Sequence, residues 1–413
     1  HPFGFLRKTA ASVATLGSGS SLGPEGPSVE VGMTVSRFIM NILPPIEYLF
    51  AKNGNKRLAN ADEAELIQRG RLLLSCGAAA GVSAGFNAPI AGVFFALEIV
   101  EGALADVEQA DHMLNPRKKG PLGISAILVS SVLAALVCQS ILGNEMVLTV
   151  SNLDVTTPLN ELPFYMMLGA TCGIVSVLFS GLAKACKSLF EGNLGPDNFQ
   201  TTVRQIPHLY RPAIGGLLCG VIGLAYPQIL FFGYVTLNAL LNSLLEDSFR
   251  LILTLLLVKM VATALAAGSG LVGGTFAPSL FLGAMTGTAF HQIVEMALPG
   301  NQIADSPAYA IVGAASVLAA LFRAPLTASL LLFELVRDYD VILPLMVSAG
   351  LGSVVADLVE NTVEQEQVQE LRRDRDEVSW GTWPTSRCGL HPQANCKLSY
   401  IAEKSVPVVY ALP

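Results

Sequence analysis

Residues 17–32 read GSGSSLGPEGPSVEVG, and residues 268–283 read GSGLVGGTFAPSLFLG. Both fit GSG-x3-G-x3-PS-x3-G at a constant offset of 251. A second pair follows in the same order. Residues 77–100 (GAAAGVSAGFNAPIAGVFFALEIV) and 313–336 (GAASVLAALFRAPLTASLLLFELV) share Gly77/Gly313, Phe86/Phe322, Ala88/Ala324, Pro89/Pro325 and Glu98/Glu334 at an offset of 236. The polar stretch 52–71 absorbs the difference between the two offsets. Shared Gly and Ala content would explain scattered matches, not fixed spacing of this kind. The chain is therefore read as a duplication, with repeats of about 1–190 and 205–362. Repeat-built membrane proteins commonly use inverted halves.

Composition says where such a chain lives. Of 413 residues, 14% are charged and 52% hydrophobic, with a mean hydropathy of +0.54. An ordinary soluble domain carries about 25% charge. Disorder and a secreted disulfide scaffold are excluded by the same figures. Apolar stretches recur at 122–143, 162–183, 213–233, 251–267, 277–298 and 340–359. Several approach the roughly 20 residues needed to cross a bilayer. Pro89–Val100 and Pro325–Val336 are shorter, each opened by a proline and each carrying a glutamate. Short, Gly/Pro-interrupted segments suggest broken helices around a cavity. The expectation is an all-α, multi-pass integral membrane protein, with a membrane domain over 1–362 and a polar tail over 363–413. The first residue is His1, not Met, and the reading expects a piece of a longer chain.

Net charge is −7, with no basic domain, so nucleic acid is not an expected partner. Cys76, Cys138, Cys172, Cys186 and Cys219 lie in apolar stretches, where a free cysteine behaves as a small hydrophobe. Cys388, His391 and Cys396 sit together in the tail without a CxxC, too little for a metal site. No metal and no cofactor are expected.

A Gly-rich turn followed by Pro-Ser and an apolar run is a loop feeding a helix. Its first N–H groups lack internal partners, and the helix dipole adds positive charge there. Two such starts, one per half, can converge on one anion. A nucleotide-binding P-loop is excluded because neither motif has the required Lys. Glu25 faces Phe276 across the duplication, and a carboxylate within a membrane segment is a functional candidate by default. Ionised, it can take the anion's place; protonated, it can swing away. Glu98 and Glu334, at the ends of the short runs, read mainly as structural.

With these residues in view, the chain resembles the CLC family of chloride channels and proton-coupled chloride transporters over about residues 3–360. GPEGP (23–27) looks like the family's gating-glutamate motif and GGTFAP (273–278) like its central anion motif. GFNAPIAGVFFALE and FRAPLTASLLLFE match the adjoining helices. The resemblance implies an inverted-repeat helical fold and a homodimer with one pore per subunit. It implies Glu25 as the gate, with backbone amides of Glu25, Gly26, Gly274, Thr275, Phe276 and Ala277 binding the anion. Four features depart from the family: no GSGIP-like serine motif, Pro24 where Lys or Arg is usual, Ile99 where proton-coupled members carry an inner glutamate, and no tyrosine over 345–365.

The function expected is passive, glutamate-gated conduction of chloride across a membrane, not catalysis. The alternative is a proton-coupled chloride or nitrate antiporter, with Glu98 or Glu101 as the inner proton relay. A further alternative is an unrelated inverted-repeat secondary transporter. The residues leave the host membrane open.

Overall fold

The structure is a computed structural model that describes residues 4–42, 63–100, 121–143, 148, 161–242, 244, 248–298 and 303–377. Among these residues it is helical, without extended sheet. The first half holds α1 (Gly4–Gly17), α2 (Glu25–Ile42), α3 (Glu63–Phe86), α4 (Pro89–Phe95) and α5 (Pro121–Leu142). Next come α6 (Leu162–Glu191), α7 (Asp197–Gln205), α8 (Arg211–Ala225) and α9 (Tyr234–Leu241). The second half continues with α10 (Phe249–Gly268), α11 (Phe276–Ala297), α12 (Ser306–Phe322), α13 (Pro325–Val336) and α14 (Ile342–Glu377). The polar stretch expected over 52–71 is helical from Glu63 on. The apolar stretch 213–233 breaks after Ala225, where Pro227 opens a single 3-10 turn.

Among the described residues, four helices are long and apolar enough to cross a membrane: Gly123–Leu142, Leu162–Glu191, Phe249–Gly268 and Ile342–Val363. Helix α5 turns Leu128, Val129, Leu133, Leu136 and Val137 outward. Such a continuous apolar face suits hydrocarbon rather than water. Helix α12, by contrast, is buried without a break from Pro307 to Ala320. A helix that is apolar all round belongs at the centre of a bundle.

The chain divides into two units, His1–Ala356 and Asp357–Pro413. The helix that begins at Ile342 runs to Glu377, and the membrane-length span within it ends at Val363, beside the boundary expected at 362 between membrane domain and polar tail. Its register passes from an apolar to a charged sequence with no Gly or Pro to end it.

The duplication is visible in the backbone. Gly19 and Gly270, 251 residues apart, have φ of +89° and +87°. Asn87 and Arg323, the counterparts before the two Ala-Pro steps, have φ of +55° and +54°. A non-glycine residue in this region is uncommon, so its recurrence marks two copies of one turn. The motif glycines explain the packing within each half. A Cβ on Gly32 would meet the Gly77 carbonyl oxygen at 2.1 Å, and one on Gly283 would meet that of Gly313 at 2.3 Å. Small residues let helix backbones touch in a membrane, where no hydrophobic force drives helices together. The two sequence motifs are thus the two sides of one helix crossing, α2 on α3 and again α11 on α12.

Candidate anion site between the two halves

The loops that carry the two Gly-rich motifs meet. Gly23 and Gly274 form an isolated antiparallel bridge, each N–H donating to the other's carbonyl oxygen at 2.7 Å. Because these residues are counterparts in the duplication, a pseudo-twofold axis passes between them. From this point α2 and α11 start in the two halves, and the first amides of each have no partner within their own helix. Of the amides expected to bind an anion, that of Gly274 donates here to the Gly23 carbonyl. A Cβ on Gly274 would lie 2.8 Å from the Gly26 nitrogen, so only glycine permits this approach.

Glu25, the first residue of α2, is 4% exposed. Its Oε1 accepts a hydrogen bond from the Tyr234 hydroxyl at 2.8 Å. Backbone N–H groups of Glu25 itself and of Ala277, in the first turn of α11, face the carboxylate. Oε2 has no full hydrogen-bond partner although it is buried. It lies over Gly23, where a Cβ would stand 2.0 Å away. The carboxylate of the first half therefore sits over the bridge, toward the amides at the start of α11. Thr275, Phe276 and Ala277, expected as anion ligands, stand at that helix start, and Gly26 packs against Gly274.

Phe276 is the apolar side of the same junction. Its ring centroid lies 5.2 Å from that of Phe86 and 5.2 Å from that of Phe322. Phe86 and Phe322 are themselves counterparts, so the duplicated phenylalanines flank the one residue that replaces the glutamate. Edge and offset contacts at this distance hold aromatic rings firmly.

The two shorter-helix glutamates are exchanged between halves. Glu98 accepts the N–H of Leu326 (3.2 Å) and of Thr327 (2.8 Å), plus the Thr327 hydroxyl (2.7 Å), at the start of α13. Glu334 accepts the N–H of Ile90 (2.9 Å) and of Ala91 (2.7 Å), at the start of α4. Each carboxylate thus caps the counterpart helix of the other half, as the helix dipole favours. Glu98 lies on a π-helical turn, Ala96–Val100, that follows α4, and its neighbour Ile99 is buried. Glu101, the other expected relay residue, lies outside the described residues, as do Cys388, His391 and Cys396.

Sequence reasoning missed Tyr234. It begins α9 directly after Gly233, which has φ of +86°. The available signal was that Gly-Tyr pair after the proline that breaks the 213–233 stretch. Lys259 was also missed: a fully buried lysine in α10, surrounded in sequence by Leu, Val and Met.

Residues 3–357 match the family described as Voltage gated chloride channel. Chloride channel protein CLC-e of Arabidopsis thaliana is 36% identical over 395 residues, covering 90% of this chain and 51% of that protein. The chain thus spans about half the length of that relative. The putative chloride channel protein ClcB-like of Ralstonia nicotianae is 32% identical over 357 residues, covering 85% of this chain and 71% of that protein. Among solved structures, a slow cyanobacterial Cl-/H+ antiporter is similar, with a TM-score of 0.67 and 25% identity over 88% of this chain and 76% of the other. On its motifs, its duplicated helical fold and these matches, the chain belongs to the CLC family of voltage-gated chloride channels, as an integral, multi-pass membrane protein.

Proposed function

We propose that this chain carries chloride, or a similar small anion, across a membrane, with Glu25 as the gate. The observation that carries the reading is the position of the Glu25 carboxylate. It is buried, ringed by the Tyr234 hydroxyl and backbone N–H groups, and set at the starts of α2 and α11. An anion entering between those helix ends would take the same donors, so carboxylate and chloride compete for one place. Thr275, Phe276 and Ala277 supply the central amides, and Glu25 and Gly26 the outer ones. Binding through partial charges holds an ion loosely enough to release it. The transported anion is the only small ligand in this reading: the site needs no cofactor and performs no catalysis. A second copy of the chain, giving a homodimer, is the proposed partner in the bilayer.

Passive conduction is the reading the inner side favours. Ile99 cannot carry a proton, and both Glu98 oxygens already accept hydrogen bonds from α13. Proton-coupled exchange is the second reading, favoured by the similarity to the cyanobacterial antiporter. The full chain in liposomes tests both. Protonation removes the competing charge, so chloride efflux should rise as pH falls, and Glu25→Gln should be fast at every pH. A Glu25→Gln protein with the wild-type rate and pH profile would overturn the gate. A chloride gradient that drives uphill proton movement, abolished in Glu25→Ala, would replace conduction by exchange.

A further inference from the structure

Resting on the gate reading above, we propose that Tyr234 is a latch on Glu25 and that Lys259 is the residue that positions it. The argument begins with a difference between the halves. Lys8 in α1 and Lys259 in α10 are counterparts at the 251-residue offset, as are Glu30 and Phe281. Lys8 forms an ion pair with Glu30. Lys259 meets Phe281 instead, with Nζ 5.3 Å from the ring centroid. An aromatic face attracts a cation but takes none of its hydrogen bonds. Among the described residues no carboxylate pairs with Lys259, and a buried ammonium needs acceptors.

It finds them in the segment that presents Tyr234. Lys259 Nζ donates to the Ile229 carbonyl at 2.8 Å and to the Phe231 carbonyl at 3.1 Å. The same segment is tied on its other side to the gate loop, because the Phe231 N–H donates to the Gly19 carbonyl at 3.2 Å. Phe231 has φ of +57° and Gly233 of +86°, so the backbone turns sharply twice before α9 begins. A Cβ on Gly233 would strike the Phe281 ring at 2.8 Å and approach Lys259 Nζ at 3.4 Å. Loop, lysine and phenylalanine are therefore packed as one body. Tyr234 leaves that body and places its hydroxyl on Glu25. The tyrosine hydroxyl gives Glu25 a donor that stabilises the ionised, closed form and is lost when the side chain swings out. Tyr234 and Lys259 are the titratable groups that α9 and α10 bring to this junction. The first turn of α11, Phe276–Ser279, brings none, and the next acid on α2, Glu30, is paired with Lys8.

The test measures chloride efflux from liposomes holding the full chain, as a function of pH, for Tyr234→Phe and Lys259→Met in wild-type and Glu25→Ala backgrounds. A hydrogen bond to a charged group is worth about a tenfold factor or more. Tyr234→Phe should therefore move the pH midpoint of efflux up by about one unit and raise efflux at neutral pH several-fold. Lys259→Met should shift the midpoint in the same direction. Neither should alter efflux once Glu25 is alanine. Tyr234→Phe differs by one oxygen and decides the latch alone. Should Lys259→Met fail to fold, Gly233→Ala displaces the same segment and carries the same expectation. An unshifted midpoint in Tyr234→Phe overturns the latch. A Lys259→Met or Gly233→Ala effect that persists in Glu25→Ala overturns the positioning role. A flat pH profile in Glu25→Ala beside an unshifted Tyr234→Phe leaves the gate standing and removes only this proposal. An unchanged profile in Glu25→Ala removes the gate itself.

Discussion

Replacing Glu98 by alanine strands the start of a helix that lies 229 residues away in the chain. Three donors lose their acceptor. The Leu326 amide is exposed and its bond is long at 3.2 Å, so its loss contributes little. The Thr327 amide and hydroxyl, at 2.8 and 2.7 Å, are part-buried and lose bonds to a full charge. Each such bond is worth about 1.5–3 kcal/mol, so Glu98→Ala should destabilise the fold by about 3–5 kcal/mol. Glu334→Ala loses one good bond, to the Ala91 amide, and one exposed one, and should lose about 2 kcal/mol. Glu98→Gln keeps an acceptor but not the charge and should fall below Glu98→Ala. Buried Cys172, Cys186 and Cys219 give a convenient assay, since a thiol-reactive fluorophore labels them only as the protein opens on heating. The midpoints should fall in the order Glu98→Ala, then Glu334→Ala. A Glu98→Ala protein that melts like wild type, or a Glu98→Gln protein whose proton-to-chloride ratio changes, would refute the capping role.

Gly283→Ala places a methyl 2.3 Å from the Gly313 backbone oxygen, and backbone cannot rotate away. It should destabilise by about 1–3 kcal/mol. Gly220→Ala, in α8 with nothing within 4 Å, should be neutral or stabilising by up to about 1 kcal/mol, and the same thermal assay compares them. Phe276→Pro deletes one N–H at the start of α11 and should weaken chloride binding more than Phe276→Leu, which keeps it. Calorimetry on folded protein reads the difference, and equal affinities would count against the amide site.

The duplication was legible because membrane packing writes itself into small residues. Gly32, Gly77, Gly283 and Gly313 are fixed by backbone contact, so their spacing survives in both copies. Glu25 stood out for a similar reason: a lone acid flanked by the two glycines and two prolines of GPEGP has few structural uses. Tyr234 was not legible. It lies 209 residues from Glu25 and has no counterpart motif, and only the three-dimensional path of the loop after α8 brings it over. The exchange of Glu98 and Glu334 was half legible. Pairing them in sequence showed that they correspond, but not that each reaches the other half's helix. The extent of the last helix was not legible, because a continuous helix can pass from the apolar span that ends at Val363 into charged sequence without any local stop signal.

The Gly23–Gly274 bridge also sets a schedule. A ribosome adding about 5–20 residues per second delivers Gly274 some 12–50 s after Gly23. Through that interval the first Gly-rich loop lacks the partner for the Gly23 N–H and C=O, and Glu25 beside it has neither the Tyr234 hydroxyl nor the second helix start. The newly inserted first half must wait in the membrane as an incomplete surface, and the proposed anion site comes into being late, when the two loops meet.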